Sequence, residues 1–166
     1  MLMTAAPIDA IVCAGGISMT EPLVTYRGAV YPHQCDHMGH MNVMWYAGKF
    51  DEACWQLLST YGLTPSRMRR ERIVMAAVEG HIVYKKELRA GDVISVHSEI
   101  VDVGNKSVRM AHEMRNDDTG ESVASMIIVG VHLDAVSRKA CPLPADVRER
   151  MSDLDVECRA SEVMAS

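Results

Sequence analysis

The chain has 166 residues, of which 48% are hydrophobic and 23% charged, with 17 Lys and Arg against 22 Asp and Glu. The length is typical of one domain, and the apolar fraction is high enough to exclude a chain that is disordered throughout. A formal net charge of −5 argues against nucleic acid as the main partner, because phosphate binding needs an excess of Lys and Arg.

The composition also bears on the cellular compartment. No run of 18 apolar residues could cross a membrane, and the first 20 residues contain no Lys or Arg, which a secretory signal needs. The five cysteines are widely spaced and form no Cys-x-x-Cys motif. Such a set is typical of reduced thiols rather than of a disulfide framework. We therefore expect a cytoplasmic protein with no membrane or nucleic-acid partner.

The first predicted elements are a tail and a strand. Residues 1–20 have no hydrophobic periodicity, and we expect them to form a flexible tail. Leu23–Val30 contains β-branched and aromatic residues and predicts a strand, which Pro32 ends. A polar segment with three histidines follows and extends to Asn42.

A long helix comes next. Apolar residues recur at helical spacing from Val43 to Tyr61 and form one stripe, which predicts a helix of about 18 residues. Asn42 lies at the N-cap position, where its side chain accepts a backbone N–H of the first turn. Gly62 lies at the C-terminal cap, where a left-handed conformation is usual. The residues at both ends therefore predict the same helix as the apolar stripe.

The remainder of the chain predicts mainly strands. A loop at Pro65–Arg70 precedes four segments with β-branched or alternating apolar residues, which are joined by turns rich in Gly, Asn and Asp. The predicted strands are Ile73–Glu87, Val93–Val103, Val108–Arg115 and Val123–Leu133. A short helix is predicted from Ala145 to Met151. We expect one domain over residues 21–145 and a C-terminal helix and tail over residues 146–166.

This order of elements predicts an α+β fold. Consecutive strands joined by tight turns pair antiparallel, and the single long helix has to cover the apolar face of their sheet. We predict a curved antiparallel five-stranded sheet wrapped around one long helix.

The segment before the helix concentrates reactive side chains. His33–Asn42 contains three of the seven histidines, one cysteine and the carboxylate of Asp36. The N-terminus of the helix presents unpaired N–H groups and a partial positive charge. Asp36 as a nucleophile or general base and a backbone N–H near Val43 as oxyanion donor would suffice to hydrolyse an activated acyl group. The alternative is that these residues only form a turn and a cap.

Two further groups of residues are candidate ligand sites. His33, Cys35, His37 and His40 are ligand types that zinc accepts, but no second cluster supplies the remaining ligands, so we predict no metal site. The basic run Arg67–Arg72 is either a solvated loop or a binding site for a phosphate-bearing ligand.

Together these motifs resemble the hotdog-fold acyl-CoA thioesterases, in the branch of the 4-hydroxybenzoyl-CoA thioesterase. The loop Asp36–Asn42 is similar to the Asp-x-x-Gly-His/Ile loop of that branch. Further similar motifs follow in the same order: Tyr46, Phe50–Ala53, Glu87–Ile94 and Thr119–Ala124. The resemblance covers residues 22–145, and the order and spacing of the motifs are more specific than any one of them.

The resemblance implies an acyl-CoA thioesterase whose sheets join edge to edge in a homodimer, often within a homotetramer, with the site at the subunit interface. Asp36 matches the family's catalytic carboxylate, which either attacks the thioester carbonyl or activates a water. Val43 matches the residue whose backbone N–H polarises that carbonyl. No metal or redox cofactor is implied, because a thioester is already activated. CoA is part of the substrate, and its phosphates would meet Arg and Lys residues that the sequence does not assign.

The loop departs from the benzoyl-type enzymes at Gly39–Asn42, which replaces a more apolar and aromatic run. His40 and Asn42 are candidate substrate-binding residues, or they form a turn bond and a cap. Any two of Trp45, Tyr46 and Trp55 could hold a flat acyl group or, by cation–π contact, a quaternary ammonium group, and Trp45 and Tyr46 are the candidate substrate-binding residues. The loop is also similar to that of members tied to carnitine breakdown that act on betainyl-CoA.

Two other functions stay open. A hotdog hydratase or dehydratase needs a His and acid pair, but neither an Asp-x-Asn-Pro-x-His arrangement nor a His-Phe-Pro run occurs in the sequence. A non-catalytic acyl-CoA binder would bind the ester tightly without turnover.

Overall fold

A computed structural model describes residues 22–152 of the chain. The elements are β1 (Leu23–Ala29), a 3₁₀ turn (Pro32–Gln34), α1 (Val43–Thr60), α2 (Pro65–Glu71), β2 (Ile73–Tyr84), β3 (Val93–Val103), β4 (Ser107–Asn116), β5 (Ser122–Asp134) and a helix α3 at 145–152. The predicted tail 1–20 and the predicted C-terminal tail from residue 153 lie outside the described residues. No helix within residues 22–152 has both the length and the apolar character needed to cross a bilayer.

The five strands form one sheet in the order β1-β3-β4-β5-β2, and every neighbouring pair is antiparallel. The long helix α1 packs on its inner face, against β1, β3 and β4. This arrangement confirms the predicted α+β fold, a curved antiparallel sheet around one long helix.

The core lies between α1 and the inner face of the sheet. Phe50 of α1 is buried in one cluster with Met114 of β4, and Leu57 is buried in a second cluster with Met110. Burying an apolar side chain of this size contributes about 1.5–3 kcal/mol. The two arginines of β4 alternate with these methionines and are exposed, so the predicted two-faced pattern of this strand is confirmed.

Both ends of α1 have the predicted caps. The Asn42 side chain accepts the Met44 N–H at 3.0 Å, as an N-cap does. At the other end Gly62 has φ +91°, and the N–H of Leu63 donates to the Leu58 carbonyl at 3.0 Å. The bond from beyond the glycine back to the last turn is a Schellman motif, which satisfies a carbonyl that the helix leaves free.

The predicted loop at 65–70 is wrong, since α2 occupies this segment. The helix is too short to show an apolar stripe, and its signals are the cap Thr64, which accepts the Arg67 N–H at 3.3 Å, and the proline that follows. Arg67 donates to both carboxylate oxygens of Asp146 at 2.7 and 2.8 Å and so docks α2 on α3. The alternative that Arg67 binds the phosphate of a ligand is therefore not supported.

The predicted pairing across the turn before β3 is also wrong. The turn forms, since the Asp92 N–H donates to the Arg89 carbonyl at 3.0 Å. However, β2 lies at one edge of the sheet beside β5, and β3 lies next to β1 near the opposite edge. The predicted first long strand ends earlier, at Tyr84 rather than Glu87. Residues 85–92 therefore cross the end of the sheet, and this crossing forms one wall of the pocket described below.

Candidate active site

The polar loop before α1 is closed by hydrogen bonds within itself. The Asp36 N–H donates to the His40 carbonyl at 3.1 Å, and the Gly39 N–H donates back to the Asp36 carbonyl at 3.0 Å. Gly39 has φ +84°, a conformation that side chains with a Cβ rarely adopt, so the turn depends on glycine here. Cys35 and Met41 form an isolated bridge across the base of the loop.

The Asp36 carboxylate is held by two donors. Its Oδ1 accepts the Met38 N–H at 2.9 Å, and its Oδ2 accepts the Asn42 side-chain N–H at 3.0 Å. The Met38 hydrogen bond first, then that of Asn42 and the nearby His40 and His37, hold the pKa of Asp36 below its usual value. The carboxylate is therefore ionised at neutral pH.

Asn42 links this carboxylate to the helix. Its Oδ1 caps α1 through Met44 while its Nδ2 donates to Asp36, and its backbone N–H donates to the Gln34 carbonyl at 2.9 Å. The residue therefore positions Asp36, and the alternative that it forms a cap is confirmed. Among the described residues no acceptor is bonded to the Val43 N–H, which lies at the positive end of α1.

A pocket of 240 Å³ opens between the start of α1 and the segment after β2. Its lining residues are His40, Met41, Val43, Tyr46, Tyr84, Lys85, Lys86 and Glu87. The structure thus brings the predicted residues His40, Val43 and Tyr46 to one pocket. Asp36 and Asn42 lie in the adjoining loop, and neither of them lines the pocket.

Trp45 and Tyr46 of α1 lie on two different surfaces. Tyr46 lines the pocket, its hydroxyl donates to the Lys86 carbonyl at 3.2 Å, and burial raises its pKa to about 12. Its ring meets the Tyr84 ring edge to face at 5.3 Å. Trp45 instead packs against His33 at 5.5 Å, away from the pocket lining. The interpretation of Trp45 as a wall of this pocket is not supported.

Sequence reasoning missed the wall formed by Tyr84 to Glu87. Glu87 is the carboxylate of this wall, and its Oε1 lies 3.4 Å from His40 Nε2. The Nζ atoms of Lys85 and Lys86 bond to Ser122 and Glu121 at the start of β5. Glu87 belonged to a motif of the resemblance, but nothing in the local pattern placed it opposite His40.

The metal interpretation has no geometric support in the part of the chain that the structure describes, where no three His, Cys, Asp or Glu side chains come together as ligands. His33 stacks on Tyr31, and His40 faces Glu87.

The family model of the thioesterase-like superfamily matches residues 30–151, which include the loop, α1 and the whole pocket wall. The chain belongs to the thioesterase-like superfamily. This membership confirms the predicted family.

Individual relatives of this thioesterase-like chain are distant. It is 25% identical over 143 residues to an L-carnitine dehydrogenase/betainyl-CoA thioesterase of Agrobacterium fabrum, covering 86% of this chain and 29% of that protein. The chain therefore spans less than a third of the length of that relative.

Two solved structures share the fold. A hypothetical protein of Staphylococcus aureus in complex with CoA has a TM-score of 0.72 at 19% identity, covering 83% of this chain and 85% of that one. A 1,4-dihydroxy-2-naphthoyl-CoA thioesterase from Synechocystis has a TM-score of 0.71 at 21% identity, covering 80% and 97%. Both confirm the hotdog architecture of the thioesterase-like chain.

Proposed function

We propose that this protein hydrolyses acyl-CoA thioesters, with Asp36 as the essential carboxylate and the Val43 N–H as oxyanion donor. The observation that carries the proposal is the juxtaposition of an ionised carboxylate with the start of α1. Asn42 bonds to Asp36 and caps the helix at the same time, so the carboxylate is tied to the N-terminal end of α1, whose first residue is Val43. The pocket lined by Val43 adjoins both and provides space for an acyl group.

The chemistry needs no other group. In the first route Asp36 attacks the thioester carbonyl, the Val43 N–H stabilises the oxyanion, and collapse expels the CoA thiolate and leaves a mixed anhydride that water hydrolyses. In the second route Asp36 takes a proton from a water that attacks the carbonyl directly. Both routes yield the free acid and CoA, and both require the ionised state that the lowered pKa of Asp36 provides.

The test is thiol release from a panel of short aliphatic, aromatic and betainyl esters of CoA. Asp36→Asn keeps the shape of the side chain and removes its charge, so we expect kcat/KM to fall at least about a hundredfold. The control Asp51→Asn changes an exposed carboxylate of α1 and is expected to leave the rate unchanged. Unchanged turnover in Asp36→Asn would refute the mechanism, and the absence of turnover with every ester would favour a binder or a hydratase.

The acyl group and the assembly are further parts of the proposal. The Agrobacterium relative is named for betainyl-CoA, which supports placing this ester in the panel. The outer edge of β2 is unpaired within the described chain, which supports a homodimer joined along this strand. Sedimentation of the purified protein tests the dimer. The cytoplasmic location stays a prediction.

A further inference from the structure

The departure of CoA is a step at which a proton donor accelerates the proposed reaction. A cysteine thiol, the nearest side-chain analogue of the CoA thiol, has a pKa of about 8.5. At neutral pH the thiol is therefore the stable product, and a thiolate that leaves without a proton is less stable. An acid that gives its proton as the C–S bond breaks lowers this barrier, and a positioned acid typically contributes about 10²–10⁴-fold in rate.

His40 is the histidine that the fold brings to the pocket. All seven histidines lie within the described residues, and His40 is the one that lines the pocket. Histidine ordinarily changes its charge between about pH 5 and pH 8, so it can give and take back a proton near neutral pH. By contrast, the Nδ1 atoms of His112 and His132 are bonded to Ser98 and to the Pro142 carbonyl, at 2.6 and 2.7 Å.

Backbone hydrogen bonds fix His40 against the opposite wall of the pocket. Its carbonyl accepts the Asp36 N–H at 3.1 Å, and the next residue, Met41, donates its N–H to the Leu88 carbonyl at 2.7 Å. The second bond ties the loop to the segment after β2. It brings His40 Nε2 to 3.4 Å from Glu87 Oε1. The imidazole thus lies between the loop that carries Asp36 and the carboxylate of Glu87.

The titratable groups around His40 come from its own loop and from the pocket lining. They are Asp36 and His37 on the loop, Tyr46 on α1, and Tyr84, Lys85, Lys86 and Glu87 on the opposite wall. The ammonium groups of Lys85 and Lys86 bond to Ser122 and Glu121 at the start of β5. Among the described residues, Glu87 is therefore the charged side chain that meets the His40 ring.

We propose that His40 is the acid–base catalyst of the hydrolysis and that Glu87 is the positioning residue for its ring. This inference rests on the proposed function and adds a proton donor to it. As the C–S bond breaks, the His40 imidazolium gives its proton to the sulfur, so CoA leaves as the thiol and the ring becomes neutral.

The proton then returns to His40 in either route. In the first route the neutral ring takes a proton from the water that attacks the mixed anhydride, which yields the free acid, the Asp36 carboxylate and the imidazolium. In the second route Asp36 holds the proton of the attacking water and passes it to the ring. In both routes one water is consumed, and the enzyme ends in the protonation state in which it began.

The experiment measures kcat/KM against pH for the preferred ester of the panel, followed by the loss of thioester absorbance. For the wild type we expect a bell-shaped profile, with an acid limb from Asp36 and an alkaline limb from His40. His40→Gln keeps a polar side chain that does not titrate. We expect kcat/KM to fall about a hundredfold at neutral pH and the alkaline limb to disappear. His81→Gln changes an exposed histidine outside the pocket lining and should keep both rate and profile.

Glu87→Gln separates the positioning of the ring from the transfer of the proton. The amide keeps the shape of the side chain and loses the charge that attracts the imidazolium. We expect kcat to fall about tenfold at an unchanged KM, with the alkaline limb retained because His40 is still present. Glu52→Gln, an exposed carboxylate of α1, is the control. An unfolding temperature and a dissociation constant for CoA equal to those of the wild type show that a variant keeps its fold and its site.

The outcomes separate this inference from the proposed function. An alkaline limb that persists in His40→Gln, or an effect of this variant on KM alone, would overturn the inference. If Asp36→Asn still loses its activity in that case, the proposed function survives. An unchanged kcat in Glu87→Gln would remove the role of Glu87. If the wild type hydrolyses no ester, the proposed function fails and the inference fails with it.

Discussion

The loop before α1 and the inner face of the sheet each hold a hydrogen-bonded polar cluster, and the two are built in opposite ways. In the loop, the bonds of Asp36 join residues two to six positions apart in the chain. In the sheet, the Thr25 hydroxyl bonds to the Ser98 hydroxyl at 2.6 Å, and Ser98 bonds to His112 Nδ1 at 2.6 Å. Thr25 and Ser98 are 73 residues apart, on neighbouring strands.

The protonation states of Asp36 and His112 differ because their surroundings differ. Asp36 is partly exposed and receives two N–H donors, which lower its pKa and keep it charged. His112 is 2% exposed beside the Phe50 ring, and burial lowers its pKa to about 4, which keeps it neutral. Its Nε2 has no hydrogen-bond partner among the described residues. A charged cluster thus lies in the partly exposed loop, and a neutral one lies buried on the inner face of the sheet.

The largest expected effect concerns the buried cluster and the pH dependence of stability. His112 binds its proton more weakly in the folded state than in the unfolded chain, where its pKa is about 6.5. Its contribution is therefore fully present above about pH 6.5 and is lost as the pH falls to about 4. We expect this loss to be about 3 kcal/mol of the free energy of unfolding.

Urea unfolding from about pH 7 to about pH 4 measures this loss, with His112→Asn as the comparison. Asparagine retains a polar group near Ser98 but has no proton to gain, so the part of the pH slope that belongs to His112 should vanish in the variant. Activity per folded molecule should stay unchanged. Parallel slopes in the two proteins would show that this histidine does not control the acid response.

An intermediate effect is expected in the loop, where Asn42 has two roles that substitutions can separate. Asn42→Asp keeps the cap but loses the donor to Asp36 and adds a second carboxylate. We expect near wild-type stability, a fall of about tenfold in kcat/KM, and an acid limb of the rate profile shifted to higher pH. Asn42→Ala should show the fall in rate together with a loss of about 1 kcal/mol of stability.

These two variants test the difference between the loop and the sheet cluster. Substitutions in the loop should mainly lower the rate of hydrolysis, whereas His112→Asn in the sheet cluster should change the pH dependence of stability. Rate profiles and urea unfolding on the same preparations give both quantities. If Asn42→Asp kept the wild-type rate profile, the Asn42 bond would have no part in controlling Asp36.

The smallest effects are expected for a pair of glycines. Gly39→Ala meets no neighbouring atom but has to adopt φ +84°, so we expect a loss of about 1 kcal/mol and a lower rate, since the turn carries Asp36. Gly48→Ala lies within α1, also in open space, and should gain about 0.5–1 kcal/mol at an unchanged rate. Thermal unfolding measures the stability of the two variants, and thiol release measures their rates of hydrolysis. Equal effects of both would contradict the dependence of the turn on a left-handed glycine.

Much of the fold could be predicted from the sequence, because several of its signals are local. The stripe from Val43 onward, the cap Asn42 and the glycine Gly62 act within one or two helical turns and gave α1 its correct bounds. Alternation along β4 likewise depends only on the period of a strand. The short helix α2 was missed because seven residues carry too little of a helical stripe.

One part of the candidate site could likewise be predicted from local signals, and the other part could not. By itself the sequence determined the reactive loop, since Asp36, Gly39 and Asn42 bond to one another across at most six residues. Only the tertiary structure decided which residues face this loop. The edge position of β2 and the crossing after it bring Tyr84 and Glu87 to the start of α1, about 40 residues away. Strand order depends on packing across the whole sheet, and no local pattern encodes it.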